Sequence, residues 1–133
     1  MTHIRQRVRE GIKGALDGLE FENVYTNRVK DIDESKLPAA VIITDDERSQ
    51  RADKSGTLER TISAMVVVII KGDTDTLDDE LDAWAEAIEP RLQKVPPALK
   101  LTLTATSLDL QSDEDGQHWF GYLALEYEAT AFG

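Results

Sequence analysis

The sequence predicts an α+β domain: a mainly antiparallel, mixed sheet of four to five strands with two helices packed on it. Three observations carry this. The stretch Leu58 to Lys71 is a long, β-branched run ending in Met65-Val66-Val67-Val68-Ile69-Ile70, too extended in pattern and too rich in valine and isoleucine for a helix. Two other segments, near residues 2–19 and 77–92, place their apolar residues at helical spacing. The connections are hairpin-like, with no alternation of strand and helix, so the element order reads α-β-β-β-α-β-β.

At 133 residues the chain is expected to be one domain spanning 1–133. Its 31% charged residues and net charge of −11 disfavour wrapping nucleic acid or docking on an anionic membrane. There is no cysteine, so disulfides and thiolate metal sites are excluded. The start Met1-Thr2-His3-Ile4-Arg5 lacks the apolar centre of a signal peptide. The longest apolar run, Ala64 to Ile70, is too short to span a bilayer.

In the first helix Ile4, Val8, Ile12, Ala15, Leu16 and Leu19 form one apolar stripe, with Thr2 as N-cap and Gly18 as the stop. Gly11 and Gly14 lower helix propensity, or allow close packing. Arg5, Arg7, Arg9 and Lys13 make this helix basic. Val24-Tyr25 suits a short strand. After the polar stretch Asp31 to Leu37, Pro38 introduces the β-branched strand Ala39 to Thr44, apolar on both faces and therefore expected inside the sheet. Asp45 to Gly56 mixes Asp45, Asp46, Glu47 and Asp53 with Arg48, Arg51 and Lys54, which predicts a mobile loop, either a solvated tip or an arm that orders on a partner.

From Leu58 the even positions are apolar, interrupted by Arg60. The odd positions begin polar and become Met65, Val67 and Ile69, which predicts burial on both faces, by a helix or by another subunit. The second helix is expected over Leu77 to Leu92, with Thr76 as N-cap, Asp79 completing a weak capping box, and Pro90 bending or finishing it. Leu77, Leu81, Trp84, Ala85, Ile88 and Leu92 share its inner face, so Trp84→Ala is expected to cost about 3–5 kcal/mol. Between Gly72 and Pro90 lie Asp73, Asp75, Asp78, Asp79, Glu80, Asp82, Glu86 and Glu89, with no basic residue. In the strand Leu99 to Ser112 the apolar positions change parity, which predicts a bulge near Thr106-Ser107. Asp115-Gly116 marks a turn into the last strand, His118 to Phe132.

Site chemistry is sparse. His3 and His118 are the only histidines, and neither has a second ligand at metal spacing. No nucleophile elbow, P-loop or dinucleotide fingerprint occurs. No carboxylate sits in an apolar stretch that would raise its pKa for acid-base work. Asp73, Asp75 and Asp78 could hold a divalent cation loosely, without matching an EF-hand loop. No enzyme and no cofactor are expected, beyond a weak magnesium dependence of assembly.

The run Leu37-Pro38-Ala39-Ala40-Val41 and, above all, Asp78-Asp79-Glu80-Leu81-Asp82-Ala83-Trp84 resemble the tail terminators of phages with long non-contractile tails, the minor tail protein U family. The charged segment between the second and third strands and the acidic turn before Trp119 fit the same family. The resemblance covers nearly the whole chain and rests on no catalytic signature.

It implies an α/β fold and a structural role in the virion tail, assembled in the host cytoplasm. Such proteins form a hexameric ring that caps the tail tube, ends polymerisation of the major tail protein and offers a surface for head attachment. The implied partners are further copies of the chain, the major tail tube protein and a head-completion protein, with DNA passing through unbound and no membrane. The residues expected at a subunit or tube interface are Arg48, Arg51, Asp73, Asp75, Asp78, Asp79 and Asp82. Pairing of the basic first helix with the acidic second is one arrangement, disfavoured if both lie on one sheet face. A head-tail connector or tail completion protein is the nearest alternative; a small ligand-binding or enzymatic α+β domain is a more distant one.

Overall fold

The computed structural model describes residues 3–51, 56, 58–95, 99–113 and 115–132, with the backbone alone at Arg51 and Phe132. Its elements are α1 (Ile4–Ala15), β1 (Asn23–Tyr25), a 3-10 turn at Glu34–Lys36, β2 (Ala39–Arg51), β3 (Leu58–Gly72), α2 (Leu77–Leu92), β4 (Lys100–Ser112) and β5 (Trp119–Phe132). The five strands form one sheet in the order β1-β2-β3-β5-β4. Only β1 runs parallel to its neighbour; the other pairings are antiparallel. The predicted fold class and element order hold.

The main core lies on one side of the sheet, with Ala39 and Val41 of β2 buried on the other. Ile62, Ala64, Val66, Val68 and Ile70 of β3 point inward with Leu123, Leu125, Tyr127, Ala129 and Ala131 of β5. Ile4, Val8, Ile12 and Leu16 from the first helical segment, and Leu77, Leu81, Ile88 and Leu92 of α2, close over them in the same cluster. Burying such a side chain contributes about 1.5–3 kcal/mol. Both helices therefore lie on one face of the sheet. Met65, Val67 and Ile69, expected to be covered by a helix or by another subunit, face the other way and are half-buried, so the helices are not their cover. Trp84 also lies at the margin of the core, half-buried and stacked on Phe21 with ring centroids 4.1 Å apart.

Close approach is built into the sequence at two glycines. A Cβ on Gly121 would sit 3.1 Å from Leu81 Cδ1 and 3.2 Å from Ile70 Cγ1, so glycine lets the first turns of α2 settle onto β5. A Cβ on Gly11 would sit 3.1 Å from Leu99 Cδ1, so glycine here lets α1 lie close to the residue that precedes β4.

The helix ends differ from expectation. Thr2 lies outside the described residues; His3 caps α1, its Nδ1 accepting from the Arg5 amide at 3.1 Å. The helix stops at Ala15, ahead of Gly18, which takes φ +90° in the following turn. Arg91 fixes that end: its Nη1 donates to the carbonyls of Asp17 at 2.5 Å and Ala15 at 3.4 Å, satisfying groups a helix terminus leaves open. Thr76 precedes α2 but makes no side-chain cap; its hydroxyl donates to the Asp73 carbonyl at 3.3 Å. Pro90 is accommodated within α2, which continues to Leu92.

The largest correction concerns residues 45–56. Residues 45–51 are not a loop but the distal half of β2, paired with Leu58 to Ile62 of β3. A register shift between Thr44 and Glu47 lets this half pair, and Arg60 and Glu47 bridge the two strands at 3.4 Å. The polar composition hid a strand segment whose side chains from Asp45 to Gln50, Glu47 apart, are exposed. Residues 52–55, with Asp53 and Lys54, lie outside the described residues, as do Pro96 and Pro97. The β4 bulge falls between Leu103 and Ala105, not at Thr106-Ser107.

Candidate functional site

The residues singled out from sequence separate into two groups at opposite ends of the sheet. Asp73 and Asp75 lie exposed in the turn after β3, and Asp78, Asp79 and Asp82 lie exposed on the first turns of α2. The first turn supplies orphan amides and the positive end of the helix dipole, which favours these carboxylates there. The β4–β5 turn ends at the same edge, since Ser112 pairs with Trp119 and Trp119 with Gly72. It adds Asp113 and the exposed Asp115.

Asp113 is the organiser of that turn. Burial works to raise its pKa, but the amides of His118 and Gln117, the His118 charge and the Gly116 amide outweigh it and hold the carboxyl below its ordinary value. The His118 and Gln117 amides lie 3.3 and 3.1 Å from its Oδ1.

Arg48 stands elsewhere. It lies opposite Thr61 on the distal hairpin, whereas α2 begins beyond Gly72. At ~3.3 Å per residue that is roughly 35 Å along β3. Its Nη2 meets Glu128 Oε1 at 3.2 Å, and with the Arg48 side chain 78% exposed this ion pair is solvated. Arg51 ends β2; its side chain lies outside the described residues. The structure brings the five aspartates together and keeps both arginines apart from them.

The basic first helix is less free than its composition implies. Arg9 is half-buried and donates to Thr44 Oγ1 at 2.6 Å, tying α1 to β2. Arg5, Arg7 and Lys13 are exposed. Because both helices occupy the same sheet face, α1 and α2 do not present charge on opposite sides of the molecule, which is the condition that disfavours their direct pairing between subunits.

Two further surfaces are apolar. The helix-free sheet face carries half-buried Ile43, Met65, Val67, Ile69, Phe120, Tyr122 and Ala124. The free edge of β4 exposes Leu103 and Leu108, 40% and 47% accessible. Their signal in the sequence was the parity change across the bulge.

Concave chemistry is modest. A depression of about 470 Å³ between α1 and the end of α2 is floored by Gly11, Gly14, Ala15 and Val95. Another, of about 260 Å³, is lined by Glu34, Pro38, Lys71, Glu80 and Trp84, and the Lys71–Glu34 pair spans 2.5 Å beside it. Among the described residues, no three His, Cys, Asp or Glu side chains converge to hold a metal ion. Asp73, Asp75 and Asp78 are therefore not a preformed ligand set. Among the same residues no helix is long and apolar enough to cross a membrane.

A small α+β domain whose distinctive features are charged ends and open sheet surfaces, rather than a cleft, is the class these features define. The model of the phage minor tail protein U family matches residues 1–130, and the chain belongs to that family. It is thus a structural component of the phage tail. Comparison with curated proteins gives no match.

Proposed function

We propose that this chain forms a hexameric ring on the end of the tail tube, stops growth of the tube and provides the surface to which the head attaches. The match to the minor tail protein U family over residues 1–130 carries this reading. The chemistry agrees with it. A ring subunit needs two different patches that meet head to tail and close by rotation. The exposed aspartates Asp73, Asp75, Asp78, Asp79 and Asp82 at one end of the sheet are one such patch, and the hairpin end with Arg48 and Arg51 is the other. A net charge of −11 suits a conduit through which DNA slides, because phosphates are repelled from its wall. The role is structural, without catalysis. Its partners are copies of itself, the major tail tube protein and a head-completion protein, in a particle assembled in the host cytoplasm.

Negative-stain microscopy of the purified protein, with and without magnesium and with isolated tail tubes, tests the reading. Six-membered rings and capped tubes are the expected result; persistent monomers that leave tubes uncapped overturn it. Asp78→Lys with Asp82→Lys tests the acidic patch, since both residues are exposed and off the buried stripe of α2. The double variant should fold with an unchanged circular dichroism spectrum yet lose rings, and unaltered rings remove this patch from the interface.

A further inference from the structure

The outer edge of β4 is an unusually apolar sheet edge. It is an edge strand of 13 residues, and among the described residues no strand pairs with its free side. Edge strands present a row of unpaired amides and carbonyls, which proteins ordinarily blunt with charge or proline. Here Leu101 to Leu108 contains neither; Lys100 and Asp109 are the strand's only charges. Leu103 and Leu108 are the large hydrophobic residues left exposed among those described.

The bulge between Leu103 and Ala105 gives this edge a symmetry the linear sequence lacks. Leu101 and Leu103 pair with Ala129 and Tyr127, while Thr106 and Leu108 pair with Leu125 and Leu123 and Leu110 pairs with Gly121. Ala129, Tyr127, Leu125 and Leu123 all face the core, so the bulge puts Leu101, Leu103, Thr106, Leu108 and Leu110 on one face. That face reads Leu-Leu-Thr-Leu-Leu in either direction. Without the bulge the two leucine pairs would point to opposite faces, because side chains alternate along a strand.

We propose that β4 pairs antiparallel with β4 of a second copy about a twofold axis through Thr106. In that register, with the bulged Thr104 of each strand left out of the ladder as it is against β5, Leu103 faces the partner's Leu108, Leu101 faces the partner's Leu110, and Thr106 faces its own counterpart. On the other face Thr102 lies opposite Asp109, and Lys100 lies diagonal to Asp109. Diagonal neighbours across a pair are within reach of long side chains. The strand's two charges therefore meet with opposite sign, twice by symmetry, and no like charges oppose. The exposed leucines of both copies join into one stripe that continues the core across the seam. Such a contact is isologous and closes at two copies. It uses a surface apart from the charged ends and does not rest on the ring reading.

Identical residues can meet only at a twofold axis, which gives a sharp test in a chain with no native cysteine. Thr106→Cys should form a disulfide-linked dimer under mild oxidation at micromolar protein, whereas Ser112→Cys, at the strand's end, should not. Leu103→Lys with Leu108→Lys changes exposed positions and should leave the fold intact, while sedimentation shows loss of the pair at concentrations where the parent is paired. Absence of a Thr106→Cys dimer, or equal cross-linking at Ser112→Cys, overturns the proposal. Rings that form from the doubly substituted chain leave the tail reading standing while the pair is lost, so the two can fail separately.

Discussion

Strands β4 and β5 are neighbours of nearly equal length, 13 and 14 residues, and both alternate apolar and polar side chains. Yet β5 buries Leu123, Leu125, Tyr127, Ala129 and Ala131, while β4 leaves almost every residue exposed. The difference is position. β5 lies between β3 and β4, directly beneath α2, whereas β4 is the last strand and is only grazed by the helix. Apolar periodicity thus specifies which face a side chain takes, and the reach of the covering layer decides whether that face is dry.

Substitution at matched positions should break the two strands apart by the largest margin. Leu125, fully buried, should lose about 2–5 kcal/mol on replacement by alanine, because the removed atoms leave a cavity. Leu108→Ala should lose under about 1 kcal/mol in the monomer, since half of its surface is already wet. Urea unfolding of both variants measures the gap, and equal losses would mean that β4 is covered after all.

An intermediate effect is expected where α2 reaches its other margin. Trp84 is half-buried, so Trp84→Ala should cost less than the 3–5 kcal/mol of a fully buried aromatic. Part of that cost is shared with Phe21. A double-mutant cycle between the two rings should return a coupling of about 0.5–1.5 kcal/mol, and a value near zero would show that the stack contributes nothing beyond area.

The smallest effect concerns the one polar atom that β5 carries inward. The Tyr127 hydroxyl is buried without a hydrogen-bond partner, and its pKa is pushed up to about 12 by burial and then by the Glu89 charge. Since the folded pKa lies above the ordinary value, this group's contribution is fully present below about pH 10 and is lost as pH rises toward 12. Tyr127→Phe removes an unsatisfied donor and should match or exceed the parent in thermal midpoint at pH 7. It should also weaken the alkaline fall in stability between pH 10 and 12, and a parallel fall in both proteins would assign the loss to other groups.

Much of this was legible in the sequence, for identifiable reasons. The helix stripes and the alternation of β5 survive because each element has one wet and one dry face. The acidic start of α2 was equally plain, and its residues do share one end of the fold. The distal hairpin was hidden because the side chains of Asp45 to Gln50, Glu47 apart, are exposed, so this part of β2 need not be apolar. Met65, Val67 and Ile69 left two covers open, and the helices prove not to be theirs, because they lie on the opposite face of the sheet. The His3 cap and the Arg91 clasp rest on single side chains meeting backbone groups, which leave no periodic trace.

The strand order has a consequence for how the chain comes to be folded. The central strand β3 is flanked by β2 on one side and by β5 on the other, and Glu59 pairs with Phe132. On the ribosome, α1 and the β2–β3 hairpin emerge first, but one side of β3 stays bare until α2, β4 and β5 have all been made. Such long-range pairing is slow to form and leaves strand edges open meanwhile. Val66, Val67, Val68, Ile69 and Ile70 are then an apolar stretch with one open edge until β5 arrives.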